Sequence, residues 1–395
     1  MEEKKNYYPY LDGMRAVAAL YVVFTHILTQ FKFEGLYDFP LLKKYSVIFF
    51  SNGVLSVDFF IVISGFCLTI PMINANEFRM RGGALNFYKK RLKRIYIPYF
   101  FATLFSLMLI YTLIGVKMGT HWDMSIPVTM TDIARHIFLI HDIFYSSYAK
   151  INHAFWSISV ECRIYLFFPL MLWLWRRYGP AYTLIASVGI SAILFIASQI
   201  MNNYIGDITT NIEGVNPYLV LFVLGMLGCE IALGNKRYFV WLRNKLHWEA
   251  LIVIIGAAVL ILQRIALHST FMYWFEIIDV LVGCWAVCVL VAASDRRLYF
   301  DKVFSYRPLV FIGTFAYSIY LIHAPLIQVV WQYVINPMHL NDYSAYCLLV
   351  LLGLPFILAM SYLFYLAFER PFMNHKKPLI INDERLKTIQ TELYK

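Results

Sequence analysis

Two side chains in the first apolar segment, Arg15 and His26, combine a permanent cation with a group that exchanges protons near neutral pH. They are eleven residues apart, so at about 100° per residue both point to the same side of a helix. At about 1.5 Å per residue they lie roughly 16 Å apart along its axis, about half the thickness of a hydrocarbon core. We therefore expect a site with two ends, a cationic end near one membrane surface and an imidazole near the midplane. The alternative is a snorkelling arginine and a histidine that is hydrogen-bonded within the helix bundle.

Carboxylates also lie inside apolar segments, where a charged group is costly unless it is paired or functional. Asp58 belongs to the second segment, and Glu161 lies with Arg163 near the start of the fourth. Asp58 and Glu161 are alternative candidates for orienting His26, and each could instead be paired within the bundle. Glu161 and Arg163 do not share a helix face, so each needs its own partner.

A basic cluster precedes the third apolar segment and includes Arg91 and Arg94. Residues three apart are neighbours on a helix, and two guanidinium groups in that arrangement suit two-pronged contact with a polyphosphate. Arg15 would join them at the same membrane face. The alternative is that the cluster anchors its helix to anionic lipid headgroups, which is the usual role of such clusters.

The composition indicates the class of protein that positions these side chains. The chain has 395 residues, of which 60% are hydrophobic and 18% aromatic, while only 15% are charged. A soluble domain of this length does not need so much apolar surface, so the chain is predicted to be a polytopic membrane protein. The six cysteines lie in or beside apolar segments without paired spacing or a partnering histidine cluster, so neither disulfides nor a metal site is predicted.

The apolar segments predict an all-α bundle of about ten transmembrane helices, near residues 14–31, 47–70, 98–116, 159–175, 181–201, 216–233, 250–267, 275–293, 309–330 and 343–368. Of the 34 lysines and arginines, 26 fall on one side of these segments. The positive-inside bias therefore predicts that both termini are cytoplasmic. The formal charge of +10 follows from this topology and does not indicate nucleic-acid binding.

The segments predict one transmembrane domain over residues 1–372, followed by a short charged cytoplasmic tail at 373–395. The first segment lacks a small-residue cleavage site, so it is expected to be retained and not removed as a signal peptide. The one long outer loop, 117–155, contains a stretch of mixed polarity at 132–140. That stretch predicts a short helix that lies on the membrane surface or folds over a cavity.

Six short motifs follow one another along the chain: Leu11-Asp12-Gly13-Met14-Arg15 with His26; Ser56-Val57-Asp58-Phe59-Phe60 with Ser64-Gly65-Phe66; Lys90-Arg91-Leu92-Lys93-Arg94-Ile95 with Pro98; Trp156-Ser157-Ile158-Ser159-Val160-Glu161; Tyr317-Ser318-Ile319-Tyr320-Leu321-Ile322-His323-Ala324-Pro325; and Glu369-Arg370-Pro371. Each motif alone is weakly specific, but their order is highly specific. Over about residues 8–372 the chain resembles the membrane-bound acyltransferases of family 3, integral-membrane O-acyltransferases of bacterial surface glycans.

The resemblance implies an acyl-CoA donor, most commonly acetyl-CoA, and a hydroxyl group on a sugar or a small hydrophobic molecule as acceptor, with no metal. Acyl-CoA carries phosphates at one end and a thioester at the other. Arg15, Arg91 and Arg94 are therefore expected to bind the phosphates while the pantetheine arm runs along the bundle towards His26. His26 is then expected to be the general base that deprotonates the acceptor hydroxyl.

The roles of the other motif residues leave alternatives open. Asp58 or Glu161 would fix the tautomer of His26. Direct transfer and a covalent acyl-enzyme on Ser64 or His26 both stay open, and Ser64-Gly65 fits close helix packing as well as chemistry. The residues expected to contact substrate are Trp156, Ser64, Arg163 and His323.

The resemblance also implies a multi-pass protein of the bacterial plasma membrane, whose partners are acyl-CoA, a glycan or lipid-linked sugar, and the bilayer. The oligomeric state stays open. The alternative is a transporter or flippase of a glycan or lipid-linked substrate, which should show repeated halves, whereas most polar motifs here precede residue 170. His323, beside Pro325, is expected to bond the carbonyl that the proline frees, and Glu369 to end its helix or pair with a loop arginine.

Overall fold

The computed structural model describes residues 7–31, 53–75, 78, 80, 82–208, 217–266, 274–295 and 299–373. The predicted tail beyond residue 373 and the start of the predicted second helix, 47–52, lie outside the described residues. The α-helices, numbered in chain order, are α1 Pro9–Leu28, α2 Val54–Asn74, α3 Gly83–Leu109, α4 Met130–Ile137, α5 Trp156–Tyr178, α6 Pro180–Ile205, α7 Tyr218–Leu233, α8 Arg237–Lys245, α9 Trp248–Ala266, α10 Trp274–Ser294, α11 Tyr299–Phe304, α12 Arg307–Gly313, α13 Ala316–Val330, α14 Asp342–Leu348 and α15 Leu354–Phe364.

Nine helical segments in the described part of the chain are long and apolar enough to cross a membrane. A tenth results if α7 and α8, which meet at a bend of 86°, form one span. Each predicted segment coincides with one of these helices, and the described residues contain no β-strand. The predicted all-α membrane bundle is therefore confirmed.

The ends of α1 differ from the prediction and move a candidate residue. The helix begins at Pro9, where the fixed φ of proline suits the first turn, and it ends at Leu28. His26 consequently lies in the last turn of α1, and its place near the membrane midplane stays a prediction.

The basic cluster is part of the third span. α3 begins at Gly83 and not near Pro98, because lysine and arginine are good helix formers and the proline is accommodated inside the helix. A π-helical turn, Ile110–Ile114, continues the same helix. Arg91 and Arg94 therefore lie on the spanning helix itself, where their side-chain directions are set by the helix.

Helices α2 and α7 pack backbone to backbone through two glycines. A Cβ atom at Gly65 would lie 2.0 Å from the carbonyl oxygen of Phe222, and one at Gly225 would lie 2.1 Å from that of Val62. Only glycine permits so close an approach of two helices. The small residue beside Ser64 thus serves helix packing, which was one of the two interpretations of Ser64-Gly65.

Residues 117–155, the long loop, fold inwards against the bundle. They contain a short helix at His121–Ser125, then α4, then a single turn at His141–Ile143. Trp122 is fully buried, and its indole N–H donates to the carbonyl of Ile114 at 3.0 Å. A capping box between Thr129 and Asp132 starts α4, which confirms the predicted short helix in this loop.

The glycine contacts predict a sharp difference between substitutions of the same kind. Gly65→Ala and Gly225→Ala each place a methyl group in steric clash with a backbone carbonyl oxygen. We therefore expect each to lower the free energy of unfolding by about 1–3 kcal/mol or more. Gly189→Ala in α6 meets nothing within 4 Å and should change stability little. Thermal unfolding of the purified variants in detergent measures this, and equal melting temperatures for all three would contradict the packing described.

Candidate active site

Four histidine side chains converge where the last turn of α1 meets the long loop and α13. They are His26, His121, His153 and His323, and we call them the histidine cluster. The ring centroid of His26 lies 4.7 Å from that of His153 and 5.0 Å from that of His323. The ring of His121 lies 5.6 Å from His26 and 4.3 Å from His153.

A hydrogen-bond relay joins His26 to the long loop. Nδ1 of His26 lies 3.1 Å from Nε2 of His153, and Nδ1 of His153 lies 3.1 Å from the hydroxyl oxygen of Ser125. The backbone N–H of His153 donates to that same hydroxyl. In one of the two proton arrangements of this relay, His26 donates through Nδ1 and its Nε2 carries a free lone pair. In that arrangement His26 is able to accept a proton.

The tautomer of His323 follows from its neighbours. Its Nδ1 donates to the carbonyl oxygens of Ile319 and Tyr320, at 3.1 Å and 2.8 Å. Because carbonyls only accept, the ring proton is on Nδ1, and the buried Nε2 has no hydrogen-bond partner among the described residues. His323 therefore offers an unprotonated nitrogen within the cluster.

The carbonyl that Pro325 frees belongs to Leu321, four residues back. It accepts a hydrogen bond from the side-chain amide of Asn152 in the long loop, at 3.0 Å. The prediction that His323 would bond this carbonyl was wrong, because His323 bonds the carbonyls three and four residues before itself. The freed group instead fastens the long loop to α13.

Three of the histidines have the separation of metal ligands. One ring nitrogen from each of His26, His121 and His153 lies within 4.8 Å of the other two, and three imidazoles are a known ligand set for zinc. The sequence predicted no metal site because these residues come from distant segments. Nδ1 of His26 and Nε2 of His153 are also hydrogen-bonded to each other directly.

The arginines lie towards the other end of α1. Arg15 donates to the carboxylate of Asp12 at 2.7 Å and to the sulfur of Cys67 on α2 at 3.1 Å. Arg91 and Arg94 are also close enough to act electrostatically on the thiol of Cys67. The structure therefore brings Arg15, Arg91 and Arg94 together, as the sequence analysis expected, and leaves their ligand open.

Glu161 lies next to this arginine group. Its carboxylate accepts hydrogen bonds from Ser64 at 2.9 Å and from the phenol of Tyr165. The guanidinium of Arg91 lies 5.8 Å from the centre of the Tyr165 ring. Because Ser64 and Cys67 are three apart on α2, a polar track runs along that helix from the arginines to Glu161.

Tyr320 on α13 lies between this track and the histidine cluster. Its ring is 5.8 Å from His323 and 6.1 Å from Phe60, which is one helical turn from Ser64 on α2. Its hydroxyl pairs with Ser157 at 2.6 Å. The two groups of candidate residues are thus joined through packed side chains of α2 and α13.

Neither candidate carboxylate is hydrogen-bonded to the His26 ring. Asp58 is fully buried and interacts with Asp279 of α10, and Glu161 is bonded to Ser64 and Tyr165 as described. The residue that contacts the His26 ring nitrogen is His153. The prediction that Asp58 or Glu161 fixes the His26 tautomer is corrected accordingly, while a direct part for either carboxylate in the chemistry stays a prediction.

Two of the residues expected to bind substrate lie on α5. Arg163 makes a bidentate ion pair with Asp142 of the long loop. Because Glu161 bonds Ser64 instead, Glu161 and Arg163 have separate partners, as predicted. Trp156 begins the helix, with its ring 6.1 Å from that of Tyr218. Substrate contact by Arg163 or Trp156 stays a prediction, as it does for Ser64 and His323.

Glu369 also has a defined partner. It is buried at the end of the last span and accepts a hydrogen bond from Ser318 on α13 at 2.5 Å. Arg15 and Arg94 act on it electrostatically. Glu369 thus ties the last span to α13 beside the arginine group.

His121 and His153 were not among the residues predicted from the sequence. Spacing could not reveal them, since His153 is 127 residues from its partner His26. The only signal in the sequence was local. His121 directly precedes Trp122, and His153 is two residues before Phe155. Burial, and then the charge of His26, lowers the pKa of His153 well below its usual value, so the ring is neutral at pH 7.

A second histidine pair stabilises the long loop. The rings of His136 and His141 stack with centroids 3.7 Å apart. Burial, and then the charge of Arg163, lowers the pKa of His141 to about 3. Burial and the neighbouring His141 lower the pKa of His136 well below its usual value. Both rings are therefore neutral in the folded protein over the physiological range.

Comparison with known proteins gives a family match. The sequence profile described as an acyltransferase domain matches residues 8–366. The O-acetyltransferase OatA of Staphylococcus aureus (strain NCTC 8325 / PS 47) is 26% identical over 352 residues, covering 84% of this chain and 52% of the relative. The peptidoglycan O-acetyltransferase OatA of Listeria monocytogenes is 22% identical over 337 residues, covering 82% and 50%. The chain thus spans about half the length of these curated relatives, and no solved structure matches it.

The neutral histidine pair predicts a pH dependence of stability. An unfolded chain binds protons on His136 and His141 below about pH 6.5, whereas the folded protein does not until far lower pH. Stability should therefore be complete above about pH 6.5 and fall as the pH approaches 3. Thermal unfolding in detergent across this range measures the slope.

His141→Phe keeps the ring stack but removes one titrating group, so its slope should be smaller. His247→Phe is the matched control, because His247 is exposed between α8 and α9. Equal slopes for His141→Phe and the parent protein would refute the assignment.

Proposed function

The chain belongs to the family of acyltransferase domains, and on that premise we propose that it transfers an acyl group, most commonly acetyl, from acyl-CoA to a hydroxyl group of a cell-envelope glycan. Two kinds of support exist besides the family. The curated relatives are named for O-acetyl transfer, one of them to peptidoglycan. The structure has a histidine relay and an arginine group towards different ends of α1.

The observation that carries the proposal is the bond between His26 and His153. A general base needs a free lone pair and a fixed orientation, and a ring held at Nδ1 presents Nε2 for this purpose. His26 plays the part of the base, and His153 is a positioning residue that is itself held by Ser125. The relay thus takes the place of the carboxylate that orients histidine in many hydrolytic triads.

The reaction then follows from ordinary acyl-transfer chemistry. Nε2 of His26 takes the proton of the acceptor hydroxyl as its oxygen attacks the thioester carbonyl. The tetrahedral intermediate expels the CoA thiolate, which takes the proton back from His26 to leave as the thiol. One carbon–sulfur bond breaks and one carbon–oxygen ester bond forms. A covalent acyl-enzyme on Ser64 or His26 is the alternative route to the same products.

The donor end is proposed to be the arginine group. Guanidinium groups bind phosphates through paired charge-assisted hydrogen bonds. Arg15 contacts the thiol of Cys67, on which Arg91 and Arg94 also act electrostatically. The pantetheine arm would follow the polar track along α2 past Ser64 towards the histidine cluster. Glu161, bonded to Ser64, would then lie beside the arm, which gives it a place in the site.

The proposed setting is a bacterial plasma membrane, crossed several times, with both termini and the arginine group in the cytoplasm where acyl-CoA is found. The bilayer, acyl-CoA and a glycan or lipid-linked sugar are the proposed partners. A transporter or flippase is the weaker candidate, because the family match concerns acyl transfer.

The proposed function predicts that His26 is needed for chemistry and not for folding. Purified protein in lipid nanodiscs, given radiolabelled acetyl-CoA and a panel of neutral glycans, should label at least one glycan. His26→Ala should reduce this turnover by about 10²-fold or more, the scale of lost general-base catalysis. His153→Ala should reduce kcat less, shift the pH profile of kcat, and leave the KM for acetyl-CoA unchanged.

The exposed His247→Ala is the control and should retain parental turnover. Melting temperatures of all variants are measured on the same preparations. If His26→Ala is as active as the parent while equally stable, His26 is not the base. If no glycan is labelled by the parent protein, the acceptor class is wrong.

The arginine group predicts a defect confined to the donor. Arg91→Ala should raise the KM for acetyl-CoA by about 10-fold or more, since charge-assisted hydrogen bonds contribute roughly 1.5–3 kcal/mol each. Arg91→Lys should restore it only in part, because lysine keeps the charge without the planar fork. Arg94→Ala should have a smaller effect, since Arg94 is exposed.

The matched control is Arg177→Ala, an exposed cation at the end of α5. The acceptor KM should not change in any of these variants. Unchanged binding of CoA by Arg91→Ala, measured by isothermal titration, would mean that the arginine group is a lipid anchor.

A further inference from the structure

Three residues of the histidine cluster are spaced like the ligands of a single metal ion. One ring nitrogen from each of His26, His121 and His153 lies within 4.8 Å of the other two. Nδ1 of His26 and Nε2 of His153 are 3.1 Å apart. Two imidazole nitrogens on one tetrahedral zinc ion, each about 2.0–2.1 Å from the metal, are roughly 3.3 Å from one another. This pair therefore has nearly the separation that a shared ion requires.

The cluster also contains ring nitrogens that the described part of the chain leaves without a hydrogen-bond partner. They are Nδ1 of His121 and Nε2 of His323, and both are buried. A buried polar atom without a partner is costly, so a ligand, an ion or ordered water is the expected partner. Nε2 of His323 carries a lone pair, because its Nδ1 donates to backbone carbonyls. A metal-bound water can donate to such a lone pair.

Contacts behind the rings hold the two loop histidines in place. Nδ1 of His153 lies 3.1 Å from the hydroxyl of Ser125, which leaves Nε2 for the cluster. Histidine ligands are almost always held in this way, by a partner on the nitrogen that faces away from the metal. Ser125 and His121 belong to the same short helix of the long loop. Thr120, which precedes this helix, donates to the side chain of Gln328 on α13 at 2.9 Å and so fixes its start.

The chemistry of the three ligands indicates the class of ion. Imidazole nitrogens suit Zn²⁺ and the neighbouring transition metals, whereas Mg²⁺ and Ca²⁺ take oxygen ligands. Three histidines supply three of the four positions of a tetrahedral zinc ion, and water takes the fourth. His26 and His121 are partly exposed, so an ion has access to the cluster. Zn²⁺ is therefore the ion that this ligand set fits best.

An ion at this place competes with the relay for the same nitrogen. In the arrangement that makes His26 a base, its Nδ1 donates to His153 and its Nε2 keeps a lone pair. A metal ion on Nδ1 takes the place of that proton, and the neutral ring then carries its proton on Nε2. A protonated Nε2 does not accept the proton of an acceptor hydroxyl. Metal-bound His26 is consequently no longer a general base.

We propose that His26, His121 and His153 bind one Zn²⁺ ion, and that the bound ion inhibits acyl transfer by replacing the proton of the relay. The binding stands on the geometry of the cluster alone, whereas the inhibition rests on the proposed function. No bond to carbon forms or breaks. The ion gains three ring nitrogens and a water, and the ring proton of His26 moves from Nδ1 to Nε2.

Binding is tested on the full chain in nanodiscs, purified without a polyhistidine tag and freed of metal with a chelator that is then removed. The probe is ZnCl₂, compared with MgCl₂, in isothermal titration and in thermal unfolding. An ion that binds only the folded protein raises its melting temperature. We expect one Zn²⁺ ion per chain and a higher melting temperature, and neither effect with Mg²⁺.

Variants assign the bound ion to the cluster. Loss of an outer partner of a metal ligand weakens binding by about 10- to 100-fold, so Ser125→Ala should weaken Zn²⁺ binding by that factor. His121→Ala removes a ligand itself and should weaken it at least as much. His247→Ala is the matched control, because His247 is exposed between α8 and α9, and it should bind as the parent does. Melting temperatures without metal show which variants are folded.

Inhibition is measured by acetyl transfer on the same preparations, and each variant is compared with its own metal-free turnover. Saturating Zn²⁺ should lower the turnover of the parent by about 10²-fold or more, as the loss of the base does. EDTA should restore it. The Zn²⁺ concentration for half inhibition should rise in His121→Ala and Ser125→Ala by the same factors as their dissociation constants.

The outcomes separate the two proposals. If the parent binds no Zn²⁺, or if His121→Ala and Ser125→Ala bind it as His247→Ala does, the cluster is not a metal site. If His121→Ala does not fold, Ser125→Ala decides the same question. If Zn²⁺ binds at the cluster but leaves turnover unchanged, or is needed for it, inhibition is wrong. If Zn²⁺ binds there and the metal-free parent acetylates no glycan, the metal site stands and the proposed function fails.

Discussion

The hydrogen bond between His26 and His153 is the contact on which the arrangement of the site depends. Inside an apolar bundle, polar groups must satisfy one another because water is scarce there. The long loop supplies these partners: His153 bonds the last turn of α1, and Asn152 caps the carbonyl of Leu321 that Pro325 frees on α13. Loop, α1 and α13 are thus held together by polar contacts that an apolar loop could not make.

Backbone contacts through glycine fix the helices that carry the polar residues. Gly65 and Gly225 bring α2 and α7 to a separation that no side chain would allow. Gly13 does the same for α1, since a Cβ atom there would lie 1.8 Å from the carbonyl oxygen of Phe304. With α1 and α2 fixed in this way, Arg15 reaches Cys67, and the polar side chains of α2 form a continuous track.

The charge distribution along α1 has a clear chemical consequence. Arg15 and its neighbours Arg91 and Arg94 lie towards one end of α1, and the histidine cluster lies at the other end. The arginine end therefore suits an anionic ligand. In the histidine cluster, burial keeps the loop residue His153 neutral. A neutral imidazole accepts a proton, which is the property that the proposed acyl transfer requires.

The sequence by itself determined what depends on local periodicity. The apolar segments predicted the spanning helices, because a bilayer requires about 20 apolar residues per span. The helical repeat likewise predicted that Glu161 and Arg163 would have separate partners, which are Ser64 with Tyr165 and Asp142. Only the tertiary structure decided the partner of His26. The path of the long loop is set by burial and by hydrogen bonds to distant helices, and no repeat in the sequence records which residues it brings together.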